Sequence, residues 1–207
     1  MEINKFFIEN IGRFAELEIQ LAPTNAHPSN VTVLVGNNGA GKTTLLKSLA
    51  TSLSWFIARI RNEKGNGNHI SDEDIRMGTN GSIVLIQIAD TSHPRTKLPN
   101  ADSEASLFIW GLVRVRRGRK ANLHSSLLEA SLLADHYRNQ LTTNERASLP
   151  LVAYYPVERS VLEIPLKIKT KHTFDQLDGY DNALNRGVDF RRFFEWFRER
   201  EDSENET

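Results

Sequence analysis

The sequence predicts an α/β fold, and three neighbouring stretches carry that reading. Val31-Thr32-Val33-Leu34-Val35 is a short β-branched run of the kind expected in a buried strand. Thr44 to Arg61 repeats Leu46, Leu49, Leu53, Phe56, Ile57 and Ile60 at three- and four-residue spacing, which predicts an amphipathic helix. Between them lies Gly36-Asn37-Asn38-Gly39-Ala40-Gly41-Lys42-Thr43, a glycine-rich turn that ends on lysine and threonine.

The flanking segments extend the pattern. Residues 2–8 alternate into a strand, and Ala15 to Leu21 alternate strictly, with Leu17, Ile19 and Leu21 on one side. Asn10-Ile11-Gly12-Arg13 is the turn between the two. Ser82 to Ala89 and Leu107 to Arg116 read as further strands, and Leu151 to Tyr155 as a strand stopped by Pro156. Leu123 to Leu141 reads as a helix with Leu127, Leu128, Leu132 and Leu133 as its stripe. The loops are residues 62–80, polar, glycine-rich and expected to be mobile, and residues 92–104. Lys167, Lys169 and Lys171 alternate along an extended stretch, 162–173. Phe190, Phe193, Phe194 and Phe197 share one face of a helix. The expected organisation is one lobe over 1–186, a Phe-rich amphipathic helix over 187–202 and a polar tail over 203–207.

Composition narrows the class. The chain has 207 residues, 26 Lys+Arg against 26 Asp+Glu, 39% hydrophobic and 25% charged residues. These values fit a globular protein and exclude a collagen or a wholly disordered chain. Zero net charge removes a global electrostatic case for nucleic acid, leaving only local patches. There is no cysteine, so disulfides and thiolate metal sites are excluded. The sequence has no long apolar run and its start does not read as a secretory leader, so the expectation is a cytoplasmic protein with no membrane span.

Gly36-x-x-x-x-Gly41-Lys42-Thr43 matches the P-loop pattern in full. The chemistry explains the residue types. A triphosphate needs many donors converging on a small volume, and glycines let successive backbone N–H groups turn inward. The helix that follows presents its positive end to the same anion. Lys42 supplies a full charge for the β- and γ-phosphates, and Thr43 a hydroxyl for Mg²⁺, which takes hard oxygen ligands. Gly36, Asn37, Asn38, Gly39, Ala40 and Gly41 form the backbone cradle, and Thr44 is placed to donate to the α-phosphate. The expected cofactors are ATP and Mg²⁺.

The loop as it stands here resembles the form found in ATP-binding cassette proteins. Together with Phe7-Ile8-Glu9-Asn10-Ile11-Gly12-Arg13-Phe14 and the alternating strand after it, it looks like the opening of SMC/RecF-type AAA ATPases. That resemblance implies the N-terminal lobe of a P-loop NTPase, with an antiparallel β-hairpin ahead of the P-loop strand. It also makes Arg13 a nucleotide contact, the alternative being a solvated turn arginine. Leu151 to Ser160, Phe174 to Tyr180 and the Phe-rich helix resemble a bacterial subset that includes Septu and retron-associated anti-phage ATPases, which act beside a nuclease. The implied partners are a second copy, a missing C-terminal lobe and a nuclease.

Hydrolysis also needs a carboxylate to orient water and a second hold on Mg²⁺. The resemblance implies an acid pair closing an apolar strand and a Ser-Gly-Gly signature for this, and no such signature follows residue 60. The nearest acidic strand, Ser82 to Asp90, has Gln87 within its run and Thr91 where a glutamate should stand, and reads as an ordinary strand. The expectation is therefore an ATPase in a longer protein and weak or no turnover by these 207 residues. The resemblance also implies a residue that senses the γ-phosphate, for which Glu158, Arg159 and Gln176 are candidates, with plain surface residues as the alternative. Arg114, Arg116, Arg117, Arg119 and Lys120 form a basic run that fits DNA or, more simply, a solvated strand edge. Two other functions stay open: a nucleotide-dependent binding module without turnover, and a small-molecule P-loop kinase.

Overall fold

The computed structural model describes residues 1–92, 105–120, 123–156, 176–181 and 183–184. The chain divides into two compact units, Met1–Pro150 and Leu151–Thr207.

In the first unit, alternation builds an antiparallel sheet. β1 (Glu2–Ile11) and β2 (Phe14–Gln20) form a hairpin. β3 (Gly81–Asp90) pairs with the other side of β1, and β4 (Ser106–Val115) pairs with β3, giving the order β2-β1-β3-β4. The register sets inward residues in rows across the strands. Phe6, Ile86 and Trp110 make one row, and Ile8, Val84 and Leu112 the next. All six are buried.

Two helices cover that face. α1 (Lys42–Arg61) lies on β3, α2 (Leu128–Thr143) lies on β4, and the two pack on each other. Phe56 sits between Trp110 and Tyr137, its ring centroid 6.0 Å from each. The buried Trp110 indole donates to the Ser52 carbonyl at 3.1 Å, so its one polar atom is satisfied.

The structure corrects several sequence expectations. Val31 to Val35 forms no strand and is not buried: Val31, Val33 and Val35 are 68%, 72% and 90% exposed. A β-branched run becomes a buried strand only with hydrogen-bonded neighbours, and none of the four strands pairs with it. Thr32 and Leu34, on the other side of the run, line an apolar groove of about 470 Å³. Leu46 and Leu49, expected in the α1 core stripe, line the same groove, and Leu45 is buried instead.

α2 begins at Leu128, five residues later than expected, because residues 123–127 have another task. Ser126 exchanges backbone hydrogen bonds with Gly111 at 2.9 Å in both directions. The Val113 N–H donates to Ser125 Oγ at 2.9 Å, and the Ile109 N–H to the Glu129 carboxylate. The outward donors of β4 are thereby satisfied. The buried stripe of α2 is Ala130, Leu133, Ala134 and Tyr137, while Leu128 and Leu132 are exposed.

The stretch 62–80 is packed, contrary to the mobile loop expected. Ile70 and Ile75 are buried, and the Asn68 carbonyl accepts from the Trp55 indole at 2.8 Å. Gly65 and Gly67 serve close approach here: a Cβ would lie 2.0 Å from the Ala58 oxygen in one case and 2.4 Å from the Trp55 nitrogen in the other.

In the second unit, residues 151–156 form no strand, and Leu151 and Tyr155 are exposed. The Tyr154 N–H donates to the Ala183 carbonyl at 2.7 Å, next to a 3-10 turn at Gln176–Tyr180. One such bond does not make a ladder. Burial raises the Tyr180 phenol above its usual range. Glu158, Arg159, the Lys167–Lys171 ladder and the Phe-rich helix lie outside the described residues. Among the described residues, no helix is long and apolar enough to cross a membrane.

Candidate nucleotide site

The glycine-rich loop runs into α1 without any side-chain cap. Gly41 holds the N-cap position at φ 95°, a left-handed conformation that favours glycine. No side chain bonds the first N–H groups, and no acidic residue stands in the first turn. A helix start of this kind keeps its orphan donors and its positive dipole end available to an anion.

The lysine is held at the same place. Lys42 Nζ donates to the Gly36 carbonyl at 2.6 Å and to the Asn37 carbonyl at 2.9 Å. The Ala40 N–H donates to the Asn37 carbonyl at 3.1 Å, which closes a turn inside the loop. Thr43 is exposed at the start of the helix, and Thr44 is half-buried behind it.

The hairpin turn between β1 and β2 lies directly against this loop. Arg13 Nη1 donates to the Gly39 carbonyl at 2.8 Å. A Cβ on Gly12 would lie 3.0 Å from Thr44 Cγ2, and one on Gly41 would lie 2.5 Å from the Phe14 ring. Gly12, at φ 54°, is the first residue of a two-residue turn, the position where a hairpin of this length favours glycine. The structure thus brings Arg13 to the loop at Gly39, while Lys42 is held at Gly36 and Asn37.

Among the other sequence candidates in the first unit, Asp90 falls away from the loop. It ends β3, an interior strand, at the end of the sheet remote from the turn: Ile83 pairs toward the turn with Glu9, and Ala89 pairs with Glu2. The separation is seven residues of strand, roughly 23 Å. Asp90 is fully buried and accepts from the hydroxyls of Ser92 and Tyr137 and from the Ser92 N–H at 2.7 Å. Burial acts to raise its pKa, yet these hydrogen bonds together hold it below the usual carboxylate value. It is a structural carboxylate, as its sequence context suggested. Gln176 belongs to the second unit. Of the basic run, Arg114 Nε donates to Asp72 at 2.7 Å, and Arg116 spends its guanidinium on backbone carbonyls. Arg117, Arg119 and Lys120 are exposed.

The sequence reading missed three residues near the loop: Phe14, Lys47 and Asp74. Lys47 Nζ bonds both carboxylate oxygens of Asp74 at 2.8 and 2.7 Å. Nothing local marks Lys47 and Asp74, because they meet across 27 residues of chain. Phe14 stood in the resemblance segment without a role of its own.

Residues 5–207 match the AAA domain family. This chain belongs to that family. Two relatives within reach of sequence comparison carry ATPase names. One is a retron Vc95 probable ATPase of Vibrio cholerae serotype O1 biovar El Tor, 28% identical over 98% of this chain and 39% of its own length. The other is a retron Ec83 probable ATPase of Escherichia coli, 28% identical over 85% of this chain and 31% of its own length. The chain therefore spans about a third to two fifths of these relatives. Among solved structures, a chain described as an SMC ATPase with ATP-driven dimerisation and DNA-stimulated activation aligns at a TM-score of 0.36 and 15% identity. It covers 71% of this chain and 81% of that one. An AAA-family P-loop lobe with a hairpin ahead of the loop is the fold expected from the sequence, apart from the unpaired Val31–Val35 run.

The donor set fits the family's nucleotide and metal. An uncapped helix start, a lysine at the loop and a nearby arginine suit phosphate, and the exposed Thr43 hydroxyl suits a hard divalent cation.

Proposed function

We propose that this chain binds Mg-ATP through residues 36–44, with Arg13 as a further phosphate contact, and that it is the N-terminal lobe of a longer ATPase. The bare start of α1 carries this reading: a left-handed glycine at the cap, no capping side chain and no acid in the first turn, with Lys42 held at the loop. Such an arrangement leaves backbone donors and positive charge facing one small volume.

In roles, the Gly36–Gly41 backbone cradles the phosphates and Lys42 leaves its carbonyl partners for the β- and γ-phosphates. Thr43 offers its hydroxyl to Mg²⁺, and Thr44 donates to the α-phosphate. The bound metal would neutralise charge between the terminal phosphates. Hydrolysis on closure of two copies belongs to the longer protein. There the Val31–Val35 run, with its exposed valines, would take a strand from the remaining lobe. The names of the relatives favour a retron-associated setting, and the resemblance noted in the sequence extends that to an anti-phage or DNA-related role beside a nuclease.

The test is isothermal titration of residues 1–207 with Mg-ATP, beside Lys42→Ala. Binding by the parent and loss of about 30-fold or more in the variant supports the reading. Equal heats from both, or no binding by well-folded protein, would end it. Steady-state turnover across protein concentration then separates an ATPase lobe from a silent binding module, and phosphorylation of an added acceptor would identify a kinase.

A further inference from the structure

The turn that carries Arg13 does not hold itself in place. Residues 74–76 run beside the end of β1: the Gly12 N–H donates to the Asp74 carbonyl at 2.7 Å, and the Arg76 N–H to the Asn10 carbonyl at 2.8 Å. Ile11 and Ile75 face each other in an isolated bridge, and both are buried. This short stretch is the only continuation of the β1 ladder on that side beyond Glu9 among the described residues.

Two side chains fix the stretch to the rest of the unit. The Asp74 carboxylate takes both its bonds from Lys47 of α1, four residues beyond Thr43 and so on the same helix face. Arg116, leaving β4, donates Nε to the Thr79 carbonyl at 3.0 Å and Nη2 to the carbonyls of Ile75 at 2.9 Å and Arg76 at 3.3 Å. Its Nη1 donates to the Asp72 carbonyl at 3.4 Å. A planar, permanently charged fork can gather several carbonyls in one fixed geometry, which a lysine cannot reproduce. Arg114 adds its bond to the Asp72 carboxylate.

We propose that Arg116 and Asp74 are positioning residues for the nucleotide site: by clamping residues 72–79 to β4 and α1, they hold the Gly12–Arg13 turn against the phosphate loop. This rests on the Mg-ATP reading above. It takes Arg116 out of any DNA-contacting role, because its donors are committed to the loop carbonyls. The clamp acts only through Arg13, which meets the Gly39 carbonyl at 2.8 Å. Loosening residues 72–79 lets the turn swing, and Arg13 then pays an ordering cost each time nucleotide binds.

The experiment is a double-mutant cycle on residues 1–207, read as the Mg-ATP dissociation constant and, separately, as the thermal midpoint. Arg13→Ala should weaken binding about tenfold or more. Arg116→Ala should weaken it about three- to tenfold in the parent and not at all once Arg13→Ala is present. Its drop in thermal midpoint should be the same in both backgrounds. Arg117→Ala, one residue on and exposed, should leave binding unchanged. Equal weakening by Arg116→Ala in both backgrounds, no weakening at all, or an inert Arg13→Ala would each overturn the proposal. If Arg116→Ala does not fold, Arg116→Lys and Asp74→Asn carry the same cycle, and the same outcomes decide. Lys42→Ala keeps the two readings apart: binding that it abolishes secures the nucleotide site whichever way the cycle turns out.

Discussion

Two stretches of extended chain in the first unit are finished in opposite ways. Along β4, each outward N–H from Ile109 to Val113 meets an acceptor supplied by residues 125–129. Along Val31–Val35, no strand among the described residues takes up the backbone, and the outward valines are exposed. The inward side chains differ in the same sense. Phe108, Trp110 and Leu112 are buried under α1 and α2, whereas Leu34 faces a groove shared with Leu46 and Leu49. One margin ends the sheet. The other, beside the phosphate loop, is left as a template on which further chain can pair. The stability of this unit therefore belongs to the sheet and the far half of α1, and its chemistry to the near half.

The sharpest way to break that division is to truncate a buried ring on the closed side. Trp110→Ala removes a buried ring from contact with Phe56 and orphans nothing but a helical carbonyl. It should cost about 3–5 kcal/mol in denaturant unfolding. If Trp110→Ala left the unfolding midpoint where it was, the core would lie elsewhere and the comparison would fail.

Asp90 tests the closed region by pH. Its pKa is lowered in the fold by hydrogen bonds that outweigh burial, so its contribution is present above the unfolded value, about 3.9. That contribution is lost as pH falls through the folded value. Asp90→Asn should flatten the decline in stability below about pH 4. Asp90→Ala, which strands the Tyr137 and Ser92 donors, should cost about 2–3 kcal/mol near neutral pH. An unchanged acid slope in Asp90→Asn would show that other carboxylates govern acid unfolding.

How much of this was legible follows the same division. The strands were readable because their alternation is local and each found its partners, and the phosphate loop because its chemistry demands residues in a fixed spacing. Arg13 was reached through the resemblance of the hairpin, and the structure sets it 2.8 Å from a loop carbonyl. Val31–Val35 misled because β-branched composition reports fitness for a sheet and not the presence of one. Leu133 is buried as its place in the leucine stripe suggested, whereas Leu128 and Leu132 misled because Ala130, Ala134 and Tyr137 fill the rest of the buried face of α2. Gly65 and Gly67 signalled a loop, correctly, but stood for contact with α1 rather than for freedom. Asp74 gave no signal, and Arg116 stood out only as part of a basic run, since their partners are distant in sequence.

Glu129 sharpens the contrast at the sealed margin. Its carboxylate is the acceptor for the Ile109 N–H, and Ile109 is half-exposed, so water can replace it in part. Glu129→Ala should cost about 0.5–1.5 kcal/mol and speed amide exchange at Ile109 more than at Phe108. Equal acceleration along the whole strand would point to global destabilisation in place of an opened edge.

The smallest energetic effect should come from the open margin, and there the informative readout is association. Val33 is exposed, so Val33→Thr should change unfolding free energy by less than about 0.5 kcal/mol. An unpaired extended run with three outward valines nevertheless invites pairing between copies of the isolated 207-residue chain. Val33→Lys puts a charge in the middle of that run and should lower self-association in sedimentation at unchanged stability. Glu129→Ala should raise it by exposing β4. Opposite shifts from the two substitutions would establish that one margin is built to stay closed and the other to be completed. A stability loss in Val33→Thr as large as that in Asp90→Ala would mean that the valine run is already part of the core.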